Sequence, residues 1–208
     1  MYKIYGFFTF NAAKVLLTAE ELGLDYEYVA LNPASDLKTP EHLARHPFGK
    51  IPVLEHNGNT FIESASICRY LTNVNDKKLY SADPVQAARI DQTMDLMSQH
   101  IGRWMSTYFW QEIVCRVFFK QEPDQAAIEE AKGWLDQQLP YMDNLLKDHP
   151  YLCGDTFSIA DIVAYSYCRI QEKTSLDLTP YENIMRWYGE ISERPAAMKV
   201  NDMVALPF

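Results

Sequence analysis

The segment Phe48–Ser64, which reads FGKIPVLEHNGNTFIES, holds the densest structural information in the chain. Two short apolar runs flank Asn57-Gly58, a dipeptide that favours the positive φ angles of a tight hairpin turn. Pro52 has no N–H to give to a strand ladder, so it belongs at a strand start or a sheet edge. The pattern therefore predicts a β-hairpin that is preceded by an open stretch of backbone at Ile51.

The backbone at Ile51 offers a place for an extended ligand to bind. Sequence alone does not show whether the Ile51–Pro52 bond is cis. A cis bond would turn the N–H and C=O of Ile51 towards a groove, where a ligand can add like a strand. The alternative is that Pro52 only begins an edge strand and has no role in binding a ligand.

The residues after the hairpin suit an amino-acid zwitterion. Ser64 precedes an apolar-periodic run, so it is predicted to be a helix N-cap with Glu63 just outside the helix. The helix N-terminus accepts a carboxylate, and the Glu63 carboxylate accepts an ammonium. Ser64 as a simple cap is the alternative, but the ordered set from Ile51 to Ser64 favours a site for a short peptide with a free amino-acid end.

The length of the chain allows two small domains, and its charge and apolar content argue against some classes of partner. The chain has 208 residues and a mass of 24.1 kDa, which is more than one compact core usually holds. A net charge of −9 and a pI near 5.0 argue against a nucleic-acid partner. No apolar run has membrane-spanning length and no leader is evident, so no membrane partner is expected.

The cysteines indicate a reducing compartment. They are widely separated, form no C-x-x-C and lack the spacing of metal ligands: Cys68, Cys115, Cys153 and Cys168. This usage predicts reduced thiols in a cytoplasmic protein that holds no metal.

The order of predicted elements divides the chain near residue 78. Strand, helix, strand, short helix, hairpin and helix follow one another up to a polar segment at 73–82. Everything after that segment is predicted to be helical, including a helix that continues to about Lys120 and one at 124–147 with a break or kink near Pro140. The predicted helix starts in this half are Asp83, Asp124, Ser158 with Asp161 as a capping box, and Thr179 with Glu182 as another.

The run P-F-G-K-I-P-V-L followed by E-S resembles the glutathione-binding half of glutathione S-transferases. The resemblance covers the whole chain. It implies an α/β thioredoxin-like N-terminal domain over 1–78, followed by an all-α C-terminal helical bundle domain over 79–208. It also implies a cytoplasmic homodimer that uses glutathione as co-substrate against a small electrophile, disulfide or peroxide. The alternative is a non-catalytic binding or regulatory protein on the same scaffold.

The loop after the first strand is where the resemblance places the glutathione sulfur. Thr9 and Asn11 form a T-x-N pattern similar to that of the bacterial nu class, and both side chains can donate a hydrogen bond to a thiolate. Asn11 is equally well read as a helix N-cap. Tyr5 is a competing thiolate stabiliser, because Tyr-type transferases use a phenol at the corresponding position; the T-x-N spacing favours Thr9.

The resemblance implies further contacts with both substrates. Lys38 and Lys50 correspond to polar residues near the glycine carboxylate of glutathione, although either is equally explained as a solvated surface lysine. The full set implied for glutathione is Lys38, Lys50, Ile51, Pro52, Glu63 and Ser64. The set implied for the electrophile pocket is Phe10, Trp104 and Tyr108.

Overall fold

The computed structural model of the protein describes residues 1–204, and residues 205–208 of the predicted second domain lie outside that description. The strands are β1 (Tyr2–Gly6), β2 (Tyr26–Ala30), β3 (Val53–His56) and β4 (Asn59–Ile62). The α-helices are α1 (Phe10–Glu21), α2 (Pro40–Arg45), α3 (Ser64–Asn73), α4 (Pro84–Leu96), α5 (Gly102–Tyr108), α6 (Gln125–Leu145), α7 (Ile159–Cys168), α8 (Glu182–Ser192) and α9 (Pro195–Met203). Two π-helical segments, Met97–Ile101 and Phe109–Phe118, and a 3₁₀ turn, Arg169–Glu172, complete the set in this part of the chain.

The described residues group into two compact units. The first is Met1–Tyr80 together with the described residues from Glu193 onward, and the second is Ser81–Ser192. The first unit takes in α9, which packs against α1. Ion pairs also join the start and middle of this segment to the end of α1: Arg194 to Glu21 and Lys199 to Glu20, at 2.6 and 2.7 Å. No local sequence pattern indicates this long-range pairing. The predicted division at residue 78 stays a prediction.

The first unit is built on a four-stranded mixed sheet with the order β2-β1-β3-β4. β1 runs parallel to β2 and antiparallel to β3, and the β3–β4 hairpin turns through Asn57 and Gly58 at φ 50° and 76°. Positive φ at both positions matches the right-handed twist of the paired strands. The predicted hairpin and the predicted thioredoxin-like element order are confirmed.

The second unit is organised around α7, whose residues are all buried. Ser158 Oγ accepts from the Ala160 N–H, and Asp161 Oδ2 accepts from the Ser158 N–H at 3.0 Å, which is the predicted capping box. Asp161 is fully buried, and its other oxygen accepts from Leu152 N and Trp187 Nε1. The capping box predicted at Ser158 and Asp161 is therefore confirmed.

The long helix that starts at Pro84 is continuous to Phe118 but contains both π-helical segments. Gly102 lies at the end of the first one, where its N–H bonds to Met97 O. A Cβ at Gly102 would lie 2.6 Å from the Tyr167 ring, so glycine allows this helix to approach α7 closely. The long helix was predicted to continue to about Lys120, and it ends at Phe118. The later helix α6 continues through Pro140, so the break considered there is absent.

The predicted capping box at Thr179 is wrong. Helix α8 begins at Glu182, and the Thr179 hydroxyl donates to Asp177 Oδ1 at 2.6 Å. The first N–H groups of α8 donate instead to Asp143 Oδ1 of α6, from Asn183 N and Ile184 N at 3.0 Å each. A carboxylate from another helix replaces the local cap, which the local sequence pattern cannot reveal.

Candidate active site

Two segments that are distant in sequence meet within the first unit. The Ser64 hydroxyl, at the start of α3, lies 3.4 Å from Asn11 Oδ1, in the first turn of α1. α1 and α3 pack against each other, with Ile67 and Leu71 of α3 fully buried. The contact therefore brings the predicted sulfur-binding loop next to the predicted zwitterion-binding residues.

Thr9 is the N-cap of α1. Its φ is −135°, and its Oγ1 accepts from Ala12 N at 3.1 Å. A hydroxyl has one hydrogen to donate and two lone pairs, and this cap occupies only a lone pair. The same side chain can therefore cap the helix and donate its hydrogen to an anion in front of it.

Asn11 is the second residue of α1, so the interpretation of Asn11 as N-cap is wrong: Thr9 holds that position. The Asn11 Oδ1 accepts from Lys14 Nζ at 2.8 Å as well as from Ser64. Lys14 is a functional candidate that the sequence reading missed. Its only signal in sequence was a polar row at helical spacing, Asn11, Lys14 and Thr18, among the apolar residues up to Ala19.

The Tyr5 hydroxyl is hydrogen-bonded outside the predicted sulfur site. Its side chain is 3% exposed, and its hydroxyl donates to Glu55 Oε2 at 2.7 Å. Burial and then the hydrogen bond to Glu55 raise the pKa of Tyr5. The Arg45 guanidinium lies 4.3 Å from the Tyr5 ring centroid and also pairs with Glu55 at 2.9 Å. The phenol is thus part of a network with Arg45 and Glu55, and no hydrogen bond given for residues 1–204 joins it to Thr9 or Asn11.

Glu63, not Ser64, occupies the N-cap position of α3, so the predicted role of Ser64 as the cap is wrong. Glu63 has φ 68° and ψ 109°, which lie outside the helical region, and helical geometry begins at Ser64. The Glu63 side chain makes no cap hydrogen bond and is exposed at the mouth of the helix. A positive φ at a residue other than glycine is uncommon, and such strained positions cluster at ligand sites.

The backbone just before the hairpin is held by side chains from neighbouring elements. The Ile51–Pro52 bond is cis, with Pro52 buried and Ile51 half-buried. The buried His42 of α2 contacts the Lys50 carbonyl through Nε2 at 2.9 Å, and the Lys38 ammonium donates to the Phe48 carbonyl at 2.9 Å. The Lys38 ammonium is therefore already hydrogen-bonded to the backbone ahead of the hairpin, whereas the Lys50 side chain is exposed.

The three predicted electrophile-pocket residues are divided between the units. Phe10 begins α1 in the first unit, and the Lys14 ammonium lies 5.2 Å from its ring centroid. Trp104 stacks on Trp134 within the second unit, with centroids 5.7 Å apart and planes at 8°. Tyr108 is 5% exposed, and burial raises its pKa. Their role in a pocket stays a prediction.

Residues 1–204 contain no cluster of three or more histidine, cysteine or acidic side chains placed to hold a metal ion. The four cysteines are unpaired as disulfides, and three of them are buried. Among the described helices, none combines the length and apolar character needed to cross a membrane.

The fold and the site define the class of protein. Its first domain is thioredoxin-like and carries hydrogen-bond donors and a carboxylate at the starts of two neighbouring helices, α1 and α3. The chain then continues as a helical unit. A family model described as glutathione S-transferase, N-terminal domain matches residues 1–73, and one described as glutathione S-transferase, C-terminal domain matches residues 96–195. The chain is 31% identical to glutathione S-transferase F11 of Arabidopsis thaliana over 98% of both chains. It is also 31% identical to glutathione S-transferase GstB of Escherichia coli K12, over 91% of this chain and 92% of that protein.

Solved structures agree with these matches. The structure of maize glutathione S-transferase I in complex with an atrazine–glutathione conjugate superposes with a TM-score of 0.91 at 27% identity, covering 100% of this chain and 99% of that one. The chain belongs to the glutathione S-transferase family, whose enzymes use glutathione as co-substrate. The predicted family and architecture are confirmed, whereas the likeness to the nu class depends on Thr9 and Asn11 and stays a prediction.

Proposed function

We propose that this protein activates the thiol of glutathione and conjugates glutathione to small electrophiles, or uses the thiol to reduce small disulfides or peroxides. The observation that carries the proposal is the contact between Asn11 and Ser64. This contact supports the proposal because it joins the segment of the two proposed sulfur donors, Thr9 and Asn11, to the start of α3, where Glu63 would suit an amino-acid end. All of these groups lie within one compact unit.

Glutathione is proposed to lie along the backbone at Ile51, as an added strand would. Its γ-glutamyl ammonium would meet the exposed Glu63 carboxylate, and its γ-glutamyl carboxylate would meet Ser64 and the N-terminus of α3. Apart from Glu63 at the N-cap, which would meet the ammonium, the start of α3 has no acidic residue that would repel this carboxylate. Lys50 would approach the glycine carboxylate at the other end of the tripeptide.

The sulfur is proposed to lie in front of α1, close to Thr9 and Asn11. A thiolate attacks and a thiol does not, so the site must favour the anion. The Thr9 hydroxyl, the Asn11 amide and the positive end of α1 each contribute on the order of 1 kcal/mol. Because one pKa unit corresponds to about 1.4 kcal/mol, these groups together lower the thiol pKa by roughly one to two units.

We further propose that the protein is a cytoplasmic homodimer. Support for the compartment comes from the cysteines, none of which forms a disulfide in the described chain. Support for the dimer comes from the family resemblance and from large apolar side chains left in solvent, of which Phe48 is 68% exposed.

Replacing Glu63 tests where glutathione binds. We expect Glu63→Gln to weaken binding at least about tenfold, because an ammonium loses its charged partner. Isothermal titration calorimetry measures this affinity directly. Glu41→Gln, at an exposed glutamate of the same unit that pairs with Arg45, is the matched control and should bind as the wild type does.

An unchanged affinity in Glu63→Gln would show that the site lies elsewhere. If the wild type itself fails to bind glutathione, the proposed function is wrong. Turnover of the wild type with an aromatic halide, a small disulfide and a hydroperoxide, measured separately, then decides which electrophile the thiolate attacks.

A further inference from the structure

Lys14 is a buried charged residue at the centre of the candidate sulfur site. It belongs to α1, is 1% exposed and donates from Nζ to Asn11 Oδ1 at 2.8 Å. Burial lowers the pKa of Lys14 to about 7, while Cys68 and Glu63 favour its charged form.

The contact with Lys14 determines which end of the Asn11 amide faces the site. The oxygen and nitrogen of an asparagine side chain are told apart by their hydrogen-bond partners. Lys14 Nζ carries N–H groups in both protonation states, and here it donates to the amide oxygen. The Ser64 hydroxyl donates to the same oxygen. Both partners therefore hold Oδ1, which leaves the planar NH₂ end as the part of the amide that a ligand meets.

Lys14 also lies within a row of buried polar groups along α1. The Thr18 hydroxyl, one turn further on, donates to the Lys14 carbonyl at 2.8 Å and lies 3.2 Å from Cys68 Sγ of α3. Thr18 is fully buried. The row shows that this side of α1 meets α3, and Thr18 provides a buried polar control residue with no hydrogen bond to Asn11 among those given for the described chain.

We propose that Lys14 is a positioning residue for the thiolate site: it holds the oxygen of Asn11 so that the Asn11 NH₂ group donates to the sulfur of bound glutathione. The inference deepens the proposed function and rests on it, because the sulfur it concerns belongs to that co-substrate. Lys14 acts through Asn11 and does not touch the sulfur itself.

A double-mutant cycle on the pKa of the enzyme-bound thiol tests this inference. The pKa is measured from thiolate ultraviolet absorbance across a pH series, for Lys14→Met, Asn11→Ala and the double variant. We expect each single variant to raise the bound thiol pKa by about one unit, as loss of one hydrogen bond to a charged group predicts. The double variant should match Asn11→Ala alone, because Lys14 acts only through Asn11.

Two further variants separate positioning from other effects. Lys14→Gln is uncharged but keeps an N–H donor, so it should retain most of the wild-type thiol pKa. Thr18→Val removes a buried hydroxyl between the same helices and should leave the thiol pKa unchanged. Thermal unfolding of each variant shows whether it is folded, and Lys14→Gln also tests the inference if Lys14→Met does not fold.

Three results would overturn the inference: an unchanged thiol pKa in Lys14→Met, full additivity in the double variant, or an equal rise in Lys14→Met and Lys14→Gln. The last two would mean that the charge of Lys14 acts on the sulfur directly. A wild type that shows no bound thiolate at all would instead reject the proposed function, so the two failures are distinguishable.

Discussion

Thr9 uses two different parts of its hydroxyl group at the start of α1. The oxygen accepts the Ala12 N–H as a helix cap, and the hydrogen is available for an anion. The Tyr5 hydroxyl is different, because its hydrogen is donated to Glu55. At the scale of single residues, the structure therefore supports Thr9 over Tyr5 as the proposed thiolate donor.

Replacing Thr9 and Tyr5 in turn shows which hydroxyl donates to the thiolate. We expect Thr9→Ala to raise the pKa of bound glutathione thiol by about one unit and Tyr5→Phe to leave it unchanged. Thiolate absorbance measures both. Thr9→Ser keeps the cap and the donor and should restore the wild-type value, whereas Thr9→Ala also costs about 1 kcal/mol of stability through loss of the cap. A raised thiol pKa in Tyr5→Phe alone would reverse the assignment.

At the scale of elements, the helix starts that a side chain caps use two kinds of partner. α1, α2, α4 and α7 begin at local caps, Thr9, Thr39, Asp83 and Ser158, whose side chains accept from the first turn. α8 begins at the carboxylate of Asp143 instead, which comes from α6. Local caps were predictable from sequence because their partners lie two or three residues away. The cap of α8 was not, since its partner is 40 residues away.

Removing Asp143 tests the cap between helices. We expect Asp143→Ala to lower the free energy of unfolding by about 2 kcal/mol, because two N–H groups of α8 and the Asn183 amide lose their acceptor. Urea unfolding measures the change. Asp148→Ala, at an exposed carboxylate shortly after α6, is the matched control; an equal loss there would show that Asp143 is not a cap.

At the scale of the whole molecule, the burial of Lys14 makes stability depend on pH. Burial lowers its pKa from an ordinary value of 10.5 to about 7. Between these values the unfolded chain binds the proton and the folded chain does not. This residue therefore makes the folded state more stable as pH rises through that window, by up to about 1.4 kcal/mol per pH unit. Below pH 7 its full penalty opposes folding.

Comparison with Lys14→Met isolates this effect. From pH 7 to 8.5 we expect the free energy of unfolding of the wild type to rise by about 1.5 kcal/mol relative to Lys14→Met. Urea unfolding at several pH values gives the slope. Lys147→Met replaces an exposed lysine that water solvates in both states, so its slope should follow the wild type. Parallel slopes for wild type and Lys14→Met would mean that Lys14 titrates normally.

The sequence by itself determined the order of elements, the hairpin at Asn57-Gly58, the helix caps at Asp83 and Ser158 and the family, because these depend on residues close together in the chain. Only the tertiary structure decided that Tyr5 pairs with Glu55, that Asp143 caps α8 and that Lys14 is buried against Asn11. Each of these contacts joins groups whose distance or burial is set by packing between elements. A local pattern records which side chains are present, and packing determines which of their atoms meet.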